Sequence, residues 1–170
     1  MRKSQDVIGL PVYCLRFGKQ IGVVQDLLFN REQHLFGLLL ASKGWFTRGR
    51  YIPADRIASL GLDAVTVDSE DVCESFEQCD DVMGVCSGQR KLKGLPVVTA
   101  TGRALGTLEN VYFMEEMGTL IGYELTDGLL SDLREGRKAL CTMEPLTWGT
   151  DAVIVPGNVS SDLKPVSTRK

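Results

Sequence analysis

The stretch Ile8-Gly9-Leu10-Pro11-Val12 returns almost unchanged as Lys93-Gly94-Leu95-Pro96-Val97, and this recurrence decides the fold. Working outward, pairing residues 8–29 with 93–113 across one gap gives seven identities: Gly9/Gly94, Leu10/Leu95, Pro11/Pro96, Val12/Val97, Gly18/Gly102, Gly22/Gly106 and Phe29/Phe113. Random pairing of segments this long gives about one or two. Similar pairs such as Asp26/Asn110 and Leu27/Val111 reinforce the match, and it continues through Gly37/Gly122, Gly49-Arg50/Gly136-Arg137 and Gly61/Gly149. The unit of about 85 residues is too long for a solenoid repeat and long enough for a small domain, so the chain reads as a tandem duplication.

Each copy reads as β. In the first, Val12 to Leu15 is a short strand, residues 16–20 a hairpin turn, and Ile21 to Phe29 a longer strand with Ile21, Val23, Leu27 and Phe29 on one face at period two. Leu35 to Ala41 follows, with Leu38-Leu39-Leu40 apolar on both faces. Short elements at Tyr51 to Pro53, Ile57 to Leu60 and Ala64 to Val67 complete the unit. The chain holds 18 glycines in 170 residues, about half again the usual share, and most fall into pairs across the two copies. Many short strands joined by glycine turns predict an all-β protein of two tandem small barrels, since closing a sheet hides its edges. The expected domains are 7–68 and 92–156. Residues 69–91 read as an acidic linker, because seven acids and no base lie between Asp68 and Asp81, and 157–170 read as a mobile polar tail.

Composition narrows the function classes. With 22 acids against 19 bases and 44% hydrophobic residues, the chain is an ordinary folded protein with no basic excess, which argues against nucleic-acid binding. The polar start and the absence of a long apolar run predict no membrane span and a cytoplasmic location. Five cysteines, odd in number and unevenly spaced, read as thiols rather than a disulfide framework.

The phrase Ile8-Gly9-Leu10-Pro11-Val12, then Gly18-Lys19-Gln20-Ile21-Gly22 with Asp26, and the closing Pro53, Ile57 and Gly61-Leu62-Asp63-Ala64-Val65 resemble the PRC-barrel family. The second copy resembles it through Gly94-Leu95-Pro96-Val97, Gly102-Arg103-Ala104-Leu105-Gly106, Gly122 and Gly136-Arg137. That family is named for the cytoplasmic domain of the photosynthetic reaction centre H subunit and includes a domain of a ribosome-maturation factor. The resemblance implies small β-barrels that serve as docking modules. Its signature residues shape turns and strands and bring no chemical group, so it implies an architecture without a reaction.

Chemical candidates are few. Cys73, Cys79 and Cys86 share one segment, but their spacing is wider than the close pairs of structural zinc sites, and the single His34 is remote in sequence. No nucleophile elbow, Walker loop or dinucleotide fingerprint is present, which predicts a non-enzyme without cofactors. Two loops are candidate protein-binding sites. Residues 43–50 carry Trp45, Phe46 and Arg48, residue types that anchor interfaces, and the matching loop 127–136 places Leu129, Leu130 and Leu133 on one side of a helical turn. The expectation is an adaptor or regulatory protein docking onto a protein partner, or onto a second copy of itself. The alternative is an RNA- or ribosome-associated barrel using Arg48, Arg50 and Arg56 near the two aromatics.

Overall fold

The computed structural model describes residues 1–42, 49–116, 118–142, 144–157 and 163–165. Both copies fold as strands, each arranged in the same order, and the all-β expectation holds. The first copy contains β2 (Pro11–Cys14), β3 (Lys19–Asn30), β4 (Leu35–Leu40), β5 (Arg50–Pro53), β6 (Ile57–Leu60) and β7 (Val65–Val67), preceded by β1 (Arg2–Lys3) and the single-turn helix α1 (Ser4–Val7). Then come β8 (Glu74–Ser75) and β9 (Val82–Gly84). The second copy contains β10 (Pro96–Thr99), β11 (Ala104–Phe113), β12 (Leu120–Thr126), the helix α2 (Leu129–Glu135), β13 (Lys138–Cys141), β14 (Thr147–Trp148), β15 (Val153–Val155) and β16 (Leu163–Pro165).

Each sheet has eight strands. The first runs β6-β7-β2-β3-β4-β5-β8 with β9 added to β3, and the second runs β14-β15-β10-β11-β12-β13-β16 with β1 added to β11. In both, the opening strand lies parallel to the closing one, Val12 opposite Val65 and Val97 opposite Val153. The turns superimpose in detail. Gly9 and Gly94 take φ values of 93° and 91°, a region closed to most side chains, and their N–H groups donate to Val24 and Leu108 at 2.8 and 2.9 Å. Among the described residues the ends of each order, β6 and β8 or β14 and β16, do not pair with each other, and the two sheets are curled half-barrels.

The lead-in strands are exchanged. β1, which precedes the first copy, pairs with β11 of the second (Arg2 opposite Phe113), while β9, which precedes the second copy, pairs with β3 of the first (Met83 opposite Phe29). At the junction Phe29 and Phe113 meet edge to face, and the hairpin turns bond reciprocally: Leu35 N–H donates to Gly118 O at 2.7 Å, Leu120 N–H to Gln33 O at 2.9 Å. Equivalent residues thus face each other across an approximate two-fold axis, and one hydrophobic cluster runs through both copies.

Three details depart from the sequence reading. Two bulges in β3, one at Ile21 against β2 and one between Val24 and Asp26 against β4, shift the inward face twice, so Ile21, Val24, Leu27 and Phe29 enter the core while Val23 is half-buried. The segment 69–91 supplies β8 and β9 to the first sheet and buries Val82, Met83 and Val85; its acids dominate the composition, yet its apolar residues fill the core. Within 157–170, residues Leu163–Pro165 pair with β13.

Candidate functional site

The most exposed apolar surface built on a regular element is α2. Its two leucines four residues apart, Leu129 and Leu133, share a helix face and are 82% and 83% exposed; Leu130 lies on the same helix. The helix is held by its polar side. The Asp132 carboxylate accepts from Thr126 Oγ1 at 2.6 Å, from the Asp127 N–H at 3.3 Å and from Arg137 Nε at 3.4 Å, and these bonds hold its pKa below the ordinary value. Gly128 and Gly136, both at positive φ, bound the helix and turn the chain sharply at each end. A short helix fixed by its acid therefore presents Leu129 and Leu133 to solvent. The expected helical turn with Leu129, Leu130 and Leu133 is present; Trp45, Phe46 and Arg48 lie outside the described residues.

Two buried carboxylates escaped the sequence reading as chemistry. Glu124, 1% exposed, receives Lys3 Nζ (2.8 Å) and Tyr112 Oη (2.9 Å) on one oxygen, and Arg137 Nη1 (2.7 Å) and Asn110 Nδ2 (3.0 Å) on the other. Burial opposes its ionisation, but the bonds from Lys3, Arg137, Asn110 and Tyr112 outweigh it and bring the pKa down to about 2. The same contact pushes the Tyr112 hydroxyl up, after burial. Asp26 is fully buried and accepts only neutral donors: the N–H groups of Leu27 (2.8 Å), Cys86 (3.0 Å) and Ser87 (2.8 Å), and Ser87 Oγ (2.7 Å). Burial raises its pKa against the opposing pull of these bonds.

Asp26 and Asn110 are equivalent, and the lead-ins treat them alike. Ser87 of the second lead-in bonds Asp26 in the first copy, while Ser4 of the first lead-in donates to Asn110 in the second at 3.3 Å. Lys3 adds its charge to Glu124 beside it. Both buried groups therefore fasten an exchanged lead-in to its host sheet. The signal available in sequence was the Asp26/Asn110 pair; Glu124, flanked by Tyr123 and Leu125, gave none.

The thiols stay apart in role. Cys73 and Cys86 are half-buried and burial raises both pKa values, while Cys79 is exposed. Among the described residues, no group of three or more His, Cys, Asp or Glu side chains is placed to share a metal ion, and no helix is long and apolar enough to cross a membrane.

Comparison with known proteins agrees with this geometry. The chain is 27% identical over 140 residues to the "Uncharacterized protein YrrD" of Bacillus subtilis (strain 168), an alignment covering 82% of this chain and 78% of that protein. The PRC-barrel domain profile matches twice, over residues 1–72 and 87–160, the two copies read from the sequence and seen in the sheets. The chain belongs to the PRC-barrel family and carries two of its domains in tandem.

Proposed function

We propose that the protein is a non-catalytic adaptor of the cytoplasm that docks onto a protein partner through the leucine face of α2. The observation that carries this reading is the pairing of a fixed helix with exposed leucines: Asp132 anchors α2 while Leu129 and Leu133 stand in water, an arrangement that costs solubility unless a partner covers it. The barrel interiors are filled by side chains, and the buried carboxylates are occupied in holding the lead-ins. By sequence, Trp45, Phe46 and Arg48 fall in the β4–β5 connection of the first copy, the counterpart of the connection that carries α2, and remain candidate contacts on the same reading.

The test is in-cell crosslinking of the parent chain and of the Leu129→Asp/Leu133→Asp variant, with thermal melts of both. The expected result is a discrete crosslinked partner with the parent, its loss in the variant, and melting temperatures within a few degrees. Retention of every partner by the variant would overturn the assignment to α2. Salt-dependent RNA capture lost when Arg48 and Arg50 become Glu would replace it with the nucleic-acid reading.

A further inference from the structure

Two grooves related by the approximate two-fold axis run between the terminal strand of one copy and the hairpin turn of the other. They differ in what fills them. The first, a cavity of about 310 Å³, lies between β14 and the turn bearing Arg31, and the segment carrying Asp80, Asp81 and Arg90 lines it. There Arg31 Nε meets Asp81 at 2.8 Å, and Gln33 spans the groove to donate from Nε2 to the Leu146 carbonyl at 2.6 Å. An internal segment thus lies beside this turn and is tied to it by the Arg31–Asp81 ion pair.

The second groove, about 420 Å³, runs along β6 and is bounded by the turn bearing Glu115, Glu116 and Gly118. The hydrogen bonds of the two turns make Gly118 the counterpart of Gln33, so the position that spans the first groove carries no side chain in the second. Ala58 corresponds to Leu146, since Leu60 and Trp148 pair with Val65 and Val153 alike. Among the described residues no side chain donates to the Ala58 carbonyl, and β6 pairs with β7 alone. Arg2 closes only one end, donating to the Leu60 and Gly61 carbonyls at 3.3 and 2.9 Å. Half-buried Leu35, Ile57 and Leu60 give the groove an apolar surface. Its own lining is acidic: Glu115 is approached by the Met1 amino group and Arg2 Nε at 3.9 Å each, while exposed Glu116 and Asp55 have no ion pair among the described residues.

We propose that this groove receives an extended segment of a partner protein with alternating basic and apolar residues, which adds a strand to the free edge of β6. An edge strand offers its unpaired backbone groups to such a segment, the apolar surface receives every second side chain, and Asp55 and Glu116 select positive charge. The site shares no residue with α2, so it stands or falls independently of the adaptor surface described above.

The test uses the full chain and a labelled octapeptide of alternating Lys and Val, with a Glu/Val octapeptide as control, followed by fluorescence anisotropy and amide chemical shifts. Saturable binding of the Lys/Val peptide is expected, with shifts at Ala58 and Ser59 and weakening as salt rises. Asp55→Lys/Glu116→Lys is expected to weaken it about tenfold and the milder Glu116→Gln roughly threefold, while Leu129→Asp/Leu133→Asp leaves it unchanged. Absence of saturable binding, equal binding of the Glu/Val peptide, indifference to both groove variants, or shifts confined to residues 68–81 would each overturn the proposal.

Discussion

Phe29 and Phe113 are the same residue of the repeated unit, and their rings meet edge to face with centroids 6.0 Å apart and planes at 70°. Both are fully buried, so the contact belongs to the core and couples one copy to the other. Phe113→Ala should cost about 3 to 5 kcal/mol. Because each sheet also holds the other copy's lead-in, the two copies should unfold together. Urea titrations following the fluorescence of Trp45 and Trp148 together with far-UV ellipticity should give coincident transitions in parent and variant; separate transitions would show independent domains.

Gln33 holds φ at 62° where its counterpart Gly118 holds 63°. A side chain in that conformation is strained, and it is retained because Nε2 reaches the Leu146 carbonyl and Oε1 accepts the Tyr123 hydroxyl at 3.1 Å. Gln33→Ala keeps the strain and loses both bonds, whereas Gln33→Gly loses the bonds and the strain. Both should destabilise, with Gly the milder by about 1 kcal/mol. Equal midpoints in chemical denaturation would contradict the strain.

Glu124 links stability to pH. Its folded pKa is about 2 against an ordinary 4.5, so its contribution is present above pH 4.5 and disappears as pH falls toward 2. The shift corresponds to something on the order of 3 kcal/mol. Glu124→Gln should be less stable at neutral pH, leaving Lys3 without its acid and Arg137 with only the more distant Asp132 and Glu109, and the gap should narrow steadily as urea midpoints are measured downward from pH 4.5.

Asp26 has the opposite sign. Its raised pKa means that its ionisation weakens the fold as pH rises through the folded value, yet its oxygens organise the turn at Cys86 and Ser87. Asp26→Asn would set an amide N–H₂ against N–H donors that need an acceptor. Hydrogen exchange at the Ser87 amide should accelerate about tenfold or more, with little change at distant amides such as Tyr112.

The repeated Gly-Leu-Pro-Val phrase made the fold legible because its constraints are local: a positive φ at Gly9 and Gly94, a strand starting at each proline. The helical turn at Leu129 was legible for the same reason. The exchange of lead-ins was not, since β1 is two residues long and carries no period, and its partner lies over a hundred residues away in sequence. Acidity hid the strands of 69–91, because charge describes the exposed half of that segment while Val82, Met83 and Val85 describe the buried half. Glu124 was unreadable in isolation: its environment is assembled from Lys3, Asn110, Tyr112 and Arg137, which no spacing rule connects.

The exchanged lead-ins also impose an order on birth. Arg2 and Lys3 leave the ribosome about 110 residues before their hydrogen-bonding partners Tyr112 and Phe113. At ordinary elongation rates this is a wait of roughly 5 to 20 s. For that interval β1 is a strand without a sheet, while the first copy can take up β9 soon after its own strands are made. Arg2 and Lys3 are therefore made before the first copy yet placed after it, and the second copy cannot be completed until they return to it.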